Sequence, residues 1–420
     1  MPVNRKKLGV LLCALLATAA VASAAAASHA STPGVTSKQI VIGGTFPFTG
    51  PASLYKTIPA AEAAYYAYLN AHGGVFHRKI KDITLDDGYD PSKTVPQTKK
   101  LVEQDHVFAV VGSLGTAPIL STWNYLNKRK IPQVLVATGD AYWGNCVHHK
   151  CQGSTKPWTL GWQPDYPGEA KLYANFINTK VKQARIGILY QNDAYGTQYL
   201  NAFKAGLSDQ SKIVSAQSYD VTGGPPQQQV IALARSGANT FVLFSTPTAT
   251  IQGLVIATKI GWHPTEFINN VSANELFMGL AAKSGASVDG AISTGYVDDA
   301  NAPSNANNAG VKLAKNIVAA YDPKGSVYDV NVMYGLASAW TMVEALKNAG
   351  NPPTRAGLIK ALLSLHGLKN PFLAPGFTEN TSATDHFPVD QLILTRYHST
   401  GGAANQGYFE PFGKIFSKLR

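Results

Sequence analysis

Cysteine is scarce in this sequence, with only three among 420 residues. Two of them, Cys146 and Cys151, enclose the segment Val-His-His-Lys. In an exported protein such a pair is usually oxidised, so we expect a disulfide that closes a small loop. The two histidines make a zinc site the alternative, but ligands so close together in the chain form a tetrahedron poorly. We therefore expect a disulfide and no metal.

Catalytic motifs are also missing. The sequence has no G-x-S-x-G elbow, no phosphate-binding G-x-x-x-x-G-K-[ST] loop and no H-E-x-x-H zinc motif. Asp86 and Asp87 are adjacent, so on a strand they would point to opposite faces and could not act as a pair. We predict that the protein is not an enzyme and needs no cofactor. The alternative, an exported α/β enzyme, would require an activated nucleophile, a metal or a cofactor.

Long apolar runs are absent beyond the N-terminus. There, three cations at 5–7 precede an apolar run over 8–22, and Ser-His-Ala at 28–30 fits a small-x-small cleavage site. This pattern predicts a signal peptide over 1–30 and a periplasmic or other extracytoplasmic mature protein. No later run reaches the ~18 apolar residues that would span a membrane.

Clusters of basic residues are missing as well. Removing the three leader cations lowers the formal net charge from +11 to +8. No group of lysines and arginines has the interleaved aromatic residues typical of a nucleic-acid surface, so we expect no nucleic-acid partner. The charge is either a solvated surface or an aid to encounter with an anionic membrane or ligand.

Strand-length apolar runs alternate with helical patterns along the mature chain, and the alternation restarts after an aromatic, proline-rich segment at 157–167. This predicts an α/β protein with two domains, each a doubly wound parallel sheet. Two such sheets facing each other would form a cleft at the carboxyl ends of their strands, where ligands bind. Strands are expected at 39–44, 83–86, 108–112, 133–137, 185–190, 240–244, 267–270, 291–296, 391–397 and 407–412, and helices at 60–70, 91–103, 116–128, 168–180, after 196, and at 251–260, 310–321, 331–348 and 354–364.

The segment 110–118, Val-Val-Gly-Ser-Leu-Gly-Thr-Ala-Pro, joins a strand to a helix. We expect Thr116 as the N-cap and Pro118 in the first turn. Such a junction presents backbone N–H groups and the positive end of the helix dipole, which suits a carboxylate. The Thr116 hydroxyl either caps the helix only or also donates to that anion. Ala137 and Thr138, which end the next strand, either reach the same anion or form a plain turn.

Three further residues follow strand ends in both halves of the chain. Tyr55 lies after the first strand, and it either covers an apolar ligand or is an ordinary loop aromatic. Tyr195 lies at a Tyr-Gly step, where it would close over the ligand while Asp193 caps the helix. Asn270, in the segment Asn-Asn-Val-Ser, either bonds a ligand across the cleft or merely forms a turn.

Taken in order, these segments resemble the leucine/isoleucine/valine-binding protein family. Its members are type I periplasmic substrate-binding proteins of ABC importers. The resemblance extends from about residue 38 to the C-terminus. The segments that carry it are 44–55, 86–91, 111–118, 131–138, 192–196, 269–273, 376–378 and 385–388.

The resemblance implies two doubly wound lobes joined by three crossovers, near Leu160, Ser293 and Phe372. It implies a monomer that closes on a small molecule, such as an amino acid or carboxylate, and delivers it to an ABC permease in the membrane. The implied lobes are residues 38–160 plus 294–372 for lobe I and 161–293 plus 373–420 for lobe II.

The resemblance also assigns ligand-binding residues, which are Tyr55, Leu114, Gly115, Thr116, Ala137, Thr138, Tyr195, Thr246 and Asn270. Two positions depart from the family pattern. Asn270 stands where the amino-acid binders place a glutamate for the ligand's ammonium, and Thr246 and Pro247 stand where they place a tyrosine.

A neutral amide such as that of Asn270 cannot pair a charge. A hydrogen bond to a charged group contributes about 1.5–3 kcal/mol, against roughly 1 for a neutral one. The expected ligand is therefore a branched-chain or related hydrophobic amino acid, including leucine, or an aromatic or other organic acid without the amino group. The alternative function is a ligand sensor that reports to a separate membrane receptor.

Overall fold

The computed structural model describes residues 32–144, 156–403 and 406–417. The predicted signal peptide at 1–30 and the predicted disulfide Cys146–Cys151 lie outside the described residues. Within the three described ranges, no helix is both long and apolar enough to cross a bilayer. The same ranges contain no group of three or more histidine, cysteine, aspartate or glutamate side chains that could hold a metal ion.

The strands of the described chain form two sheets. They are β1 (Gln39–Phe46), β2 (Lys79–Asp86), β3 (Ala109–Val111), β4 (Gln133–Val136), β5 (Thr159–Gly161), β6 (Ile186–Gln191), β7 (Ile213–Tyr219), β8 (Thr240–Phe244), β9 (Thr265–Ile268), β10 (Ile292–Gly295), β11 (Gln391–His398) and β12 (Tyr408–Ser417). The first sheet has the order β2-β1-β3-β4-β5 and is parallel throughout. The second has the order β12-β11-β10-β9-β8-β6-β7, with antiparallel pairing only from β10 to β12.

Helices join most of these strands. They are α1 (Thr57–Ala71), α2 (Pro91–Glu103), α3 (Thr116–Lys128), α4 (Tyr166–Lys180), α5 (Ala194–Gly206), α6 (Gln227–Arg235), α7 (Pro247–Lys259), α8 (Glu275–Lys283), α9 (Ala309–Tyr321), α10 (Val330–Lys347) and α11 (Arg355–Leu362). The result is two α/β lobes with doubly wound sheets, as the strand–helix alternation predicted.

Local sequence explains how these elements begin and why they are buried. Every residue of β1 except the first is buried, because helices cover both faces of a parallel sheet and a central strand then reads as one apolar run. At the start of α2, the Asp90 side chain accepts a hydrogen bond from the Ser92 amide, and Pro91 occupies the first turn. Asp193 caps α5 in the same way, as expected from the sequence.

The chain passes between the two lobes more than once. Helices α9 and α10 follow β10 of the second sheet, yet both pack on α1 beside the first sheet. The chain then returns to place β11 next to β10. The lobe boundaries given above, with crossovers near Leu160, Ser293 and Phe372, stay a prediction.

Four elements were not predicted. They are β5, β7, α6 and α8. No strand or helix was predicted within 157–167, but Thr159–Gly161 form β5, which pairs with β4. Helix α4 also begins inside that segment, at Tyr166, where Asp165 provides the N-cap.

Candidate functional site

A cavity of about 360 Å³ lies between the sheets, lined by segments that follow the carboxyl ends of strands in both. This volume falls in the range of roughly 300–1,000 Å³ that is usual for small-molecule sites. Among the described residues, no lysine, arginine or histidine lines it. Seven of the nine predicted binding residues do line it, namely Tyr55, Leu114, Gly115, Ala137, Tyr195, Thr246 and Asn270.

The other two, Thr116 and Thr138, lie behind the cavity surface. Their hydroxyl oxygens are 2.7 Å apart, and both side chains are almost fully buried. The Tyr166 hydroxyl, which belongs to a cavity-lining residue, donates to Thr138 Oγ1 at 3.0 Å. The three hydroxyls thus form a chain that reaches the cavity through Tyr166.

Thr116 is not the N-cap of α3, as the sequence had suggested. Gly115 is the N-cap, with φ of 102°, and Thr116 is the first helical residue. The turn needs a positive φ, which glycine adopts at little cost. A Cβ at Gly115 would also lie 2.5 Å from Cε2 of Tyr89, so the cavity wall has no room for a larger residue there. The Thr116 hydroxyl is directed to Thr138 instead.

The residues Leu114, Gly115 and Ala137 form what we call the glycine wall of the cavity. Its backbone is largely satisfied internally, since the Leu114 amide donates to Thr45 O at 3.1 Å and the Gly115 amide to Ala137 O at 3.4 Å. The first N–H groups of a helix have no acceptor within the helix. The N–H groups at the N-terminus of α3 and the hydroxyl chain are therefore the groups on this side that could donate hydrogen bonds to a carboxylate.

Tyr55 connects the two lobes across the cavity. Its hydroxyl donates to Val271 O at 3.0 Å, in the turn after β9. A second bond joins the segment after β1 to the first turn of α7, from Thr248 Oγ1 to Pro51 O at 3.0 Å. These contacts close the cleft between the segment that follows β1 and the segments that follow β8 and β9.

Tyr195 is held rigidly in the second lobe. Its hydroxyl donates to Ser245 O at 3.1 Å and accepts from Asn269 Nδ2 at 2.6 Å. Its ring lies edge-on to that of Tyr166, with 5.1 Å between centroids. Burial and nearby tyrosines raise the pKa of Tyr195 well above its usual value, so the hydroxyl stays neutral.

Asn270 and Thr246 already form hydrogen bonds with other residues of the protein. The backbone N–H of Asn270 donates to Glu169 Oε1 at 2.6 Å, and the side-chain Nδ2 of Asn270 donates to Thr294 O. Thr246 is bonded to the Tyr219 hydroxyl, 3.1 Å from its Oγ1 and 3.0 Å from its amide. Asn270 Oδ1 remains as an acceptor beside the cavity.

Four further tyrosines line the cavity and were missed from the sequence. They are Tyr89, Tyr166, Tyr296 and Tyr334. The turn Asp-Gly-Tyr-Asp-Pro after β2 could have indicated Tyr89 from the sequence. In this turn the Asp87 carboxylate accepts a hydrogen bond from the Tyr89 backbone amide at 3.0 Å. For Tyr166, the signal is the helix-start pattern Asp-Tyr-Pro. Nothing local marks the other two, which come from the chain after β10 and from α10.

Two acids that line the cavity were also missed. Glu275 opens α8 and Asp299 follows β10. Burial, and next the charge of Asp299, raise the pKa of Glu275 well above its usual value. Burial also raises the pKa of Asp299, although its carboxylate accepts amide hydrogen bonds from Asn301 and Phe409. The pair therefore retains a proton more strongly than free carboxyls would.

A family model described as periplasmic binding protein matches residues 39–403 of the chain. The chain belongs to the periplasmic binding protein family. The predicted resemblance to the leucine/isoleucine/valine-binding type of this family is thereby confirmed, together with its two-lobed fold.

Individual relatives of this periplasmic binding protein are distant. An "Amino acid binding protein" of Pseudomonas aeruginosa is 25% identical over 179 residues, a match of 40% of this chain that spans 43% of that relative. A branched-chain amino acid ABC transporter structure from Thermus thermophilus with bound valine gives a TM-score of 0.78 at 16% identity, covering 92% of this chain and 98% of that one. A fatty acid ABC transporter substrate-binding protein from Thermomonospora curvata gives 0.75 at 21% identity, covering 93% and 95%. At such identities the structures establish a shared fold.

Proposed function

We propose that this periplasmic binding protein is the extracytoplasmic substrate-binding component of an ABC importer. It binds a small hydrophobic amino acid or related carboxylate between its lobes and delivers it to a membrane permease. The observation that carries the proposal is the cavity of about 360 Å³ between the strand ends of two matched sheets. A signal peptide at 1–30, a monomeric state and the absence of catalysis belong to the same proposal.

The carboxylate binds on the glycine-wall side. The N-terminus of α3 contributes its dipole, and the hydroxyls of Thr116, Thr138 and Tyr166 rearrange so that at least one donates to the anion. Because neither threonine lines the cavity, the Tyr166 hydroxyl is the first of the three that a ligand meets. Such a site holds an anion without a cation of the protein.

The apolar part of the ligand packs among the tyrosines. Tyr55 and Tyr195 face it from the two lobes, and the bond from Tyr55 to Val271 holds the lobes closed over it. A micromolar affinity requires roughly −8 kcal/mol. Removing apolar surface from water contributes about 25 cal/mol per Å², so a five- or six-carbon body together with the anion site is sufficient.

The proposal includes a division of the chain into two lobes. We propose lobe I at 38–160 plus 294–372 and lobe II at 161–293 plus 373–420. The packing of α9 and α10 on α1, and the return of β11 to the second sheet, support these boundaries. Closure would then move the two lobes about the three crossovers.

Two ligand classes are compatible with the site. An amino acid is supported by the family, and a carboxylate without an α-amino group is supported by Asn270, whose neutral amide cannot pair an ammonium charge. Native mass spectrometry of the purified protein, followed by calorimetric titration with leucine, valine, hexanoate and 4-hydroxybenzoate, separates the classes. Binding of none of them at millimolar concentration would contradict the proposed carboxylate site.

Gly115→Ala tests whether this cavity is the binding site. The new Cβ would lie 2.5 Å from the Tyr89 ring, and we expect the best ligand to bind at least about tenfold more weakly, a loss of roughly 1.4 kcal/mol. Gly261→Ala is the matched control, because Gly261 also has a positive φ of 72° but a Cβ there meets open space. Equal affinities for the two variants would place binding elsewhere.

A further inference from the structure

The cavity has a second polar surface, formed by Glu275, Asp299 and Asn331, which we call the carboxyl wall. Its members come from three elements that are far apart in the chain, namely the start of α8, the segment after β10 and the start of α10. Asn274, next to Glu275, donates to Asp329 Oδ1 at 2.6 Å. This bond joins the start of α8, beside the second sheet, to the start of α10, which packs on α1.

The carboxyl wall contains buried polar atoms without partners. Glu275 is 2% exposed and its Oε2 has no hydrogen-bond partner, while Asn331 is 7% exposed and its Nδ2 has none. Leaving a buried polar group unsatisfied is unfavourable, and native structures do so rarely. Both residues line the cavity, so a bound molecule is the natural partner for them.

The protein offers these acids no compensating cation. In the described chain, no ion pair involves Glu275, Asp299 or Asp329, and none of the cavity-lining residues is basic. A positively charged group supplied by the ligand would be attracted here, since charges act strongly on each other where water is excluded. An anionic group would be repelled.

This surface is separate from the position that resembles an ammonium site in the sequence. That position is Asn270, which opens the turn Asn270–Ser272 after β9, whereas Glu275 is the first residue of α8. The Asn270 side-chain nitrogen is already bonded to Thr294 O. An amino group on the carboxyl wall would therefore contact other elements than one bound at Asn270.

We propose that the ligand carries a protonated amino group at the far end of its chain from the carboxylate, and that Glu275 and Asp299 bind that amino group. This inference rests on the proposed function, and it names the substrate class as ω-amino carboxylates or similarly extended amines. Burial favours the protonated form of both acids. When the ammonium donates hydrogen bonds to the two carboxylates, a proton held by either acid is released to water. Asp299 is oriented for this role by the amides of Asn301 and Phe409, at 2.7 and 2.9 Å.

Matched probes test the position of the amino group. Hexanoate, 6-aminohexanoate and 2-aminohexanoate share one six-carbon chain and differ only in whether and where the amine is attached, and the four- and eight-carbon sets extend the comparison. We expect the best ω-amino probe to bind at least about tenfold more tightly than the unsubstituted acid of equal length, as a charge-assisted hydrogen bond predicts. Isothermal titration calorimetry measures these affinities on the whole mature chain.

Glu275→Gln then tests the residue. We expect this variant to lose most of the preference for the ω-amino probe over the unsubstituted acid of equal length. Glu379→Gln is the matched control, because Glu379 is also a buried acid but does not line the cavity. Asp299→Asn provides a second variant if Glu275→Gln fails to fold.

The outcomes separate this inference from the proposed function. If leucine or hexanoate binds and the ω-amino probe binds no better, or if 2-aminohexanoate is preferred, the inference is wrong and the proposed function stands. An ω-amino preference that survives in both Glu275→Gln and Asp299→Asn also overturns the inference. If no probe and no amino acid binds to the folded protein, both proposals are wrong.

Discussion

The glycine wall and the carboxyl wall line the same cavity but are built in opposite ways. Around the glycine wall, the Leu114 and Gly115 amides and the hydroxyls of Thr116 and Thr138 are bonded within the protein, and only the first N–H groups of α3 lack an acceptor within their helix. The carboxyl wall instead leaves Glu275 Oε2 and Asn331 Nδ2 without partners. The first surface is preformed without a ligand, whereas in the second Glu275 Oε2 can accept from a ligand donor and Asn331 Nδ2 can donate to a ligand acceptor.

This difference shows why one wall is visible in the sequence and the other is not. The segment 110–118 combines a strand end, small residues and a helix start, so its chemistry can be read locally. Glu275 and Asp299 become neighbours only when α8 and the chain after β10 pack together. A single acid in a sequence carries no such information.

The largest expected effect concerns a buried acid outside the cavity. Glu379 accepts hydrogen bonds from Thr341 at 2.6 Å and Asn370 at 2.8 Å, and burial raises its pKa to about 7. The folded state therefore keeps a proton on Glu379 up to about pH 7, whereas the unfolded state loses it above about pH 4.3. Between these two pH values the free energy of unfolding falls as the pH rises. Above about pH 7 the contribution of Glu379 is constant. We expect the free energy of unfolding of Glu379→Gln to rise relative to that of wild type by on the order of 3 kcal/mol between pH 4.5 and 7.5. Urea unfolding at several pH values measures this difference.

Glu379 and Glu275 are both buried acids, but only Glu275 lines the cavity. The pH dependence attributed to Glu379 should be the same with and without ligand, because this residue does not touch the cavity. For Glu275, a bound ω-amino probe should reduce the difference in stability between wild type and Glu275→Gln. A Glu379→Gln variant whose stability runs parallel to wild type at every pH would contradict the assignment.

The next effect concerns the hydroxyl chain behind the glycine wall. Replacing Thr116 and Thr138 together by valine leaves the Tyr166 hydroxyl without its acceptor and removes two donors near the anion. We expect carboxylate affinity to fall about tenfold, or roughly 1.4 kcal/mol, in calorimetric titrations with the best ligand. Thr122→Val, which removes a buried hydroxyl of α3 outside the cavity, should leave the affinity unchanged. Unchanged affinity in the double variant would contradict the proposal that the carboxylate binds at this wall.

The smallest effect concerns lobe closure. Tyr55→Phe keeps the ring that covers the ligand but deletes the bond to Val271 O across the cleft. A neutral hydrogen bond contributes about 1 kcal/mol, so we expect a loss of roughly fivefold in affinity, mainly as faster dissociation in stopped-flow measurements. Tyr125→Phe, which loses a bond to Glu103 outside the cavity, is the control. A faster association rate alone, with dissociation unaltered, would argue against a role of Tyr55 in closure.

The two strands that the sequence did not predict share a physical cause. Strands β5 and β7 each lie at an edge of a sheet, and β5 has only three residues. Most of β7 is only half buried, so its sequence Ile-Val-Ser-Ala-Gln-Ser-Tyr has no long apolar run. Such strands form because a neighbouring strand supplies their hydrogen bonds, since propensity depends strongly on context in sheets. The missed helix α8 mattered more, because it carries Glu275.

The error at Thr116 has a similar origin. Threonine and glycine are about equally favoured as N-caps, so local preference does not decide between Thr116 and Gly115. The close approach of the Tyr89 ring decided between them, because a Cβ at position 115 would lie 2.5 Å from it. Tyr89 itself has a positive φ of 63°, set in a turn that the Asp87 carboxylate supports. These contacts join residues 26 positions apart, beyond the reach of a local pattern.

The α/β class and the order of most strands and helices are visible in the sequence, because they depend on apolar periodicity and on strand ends that extend over a few residues. Strand ends and the family resemblance together pointed to seven residues that line the cavity, and Thr246 came from the resemblance alone. Other features appear only in the folded protein. Thr116 and Thr138 bring their hydroxyls together, and six tyrosines line one cavity. Two acids share the wall of that cavity, and no basic residue of the described chain lines it. The reason is that hydrogen bonding and desolvation act over a few ångströms in space. Groups distant in the chain acquire their chemistry only after the sheets and helices have packed.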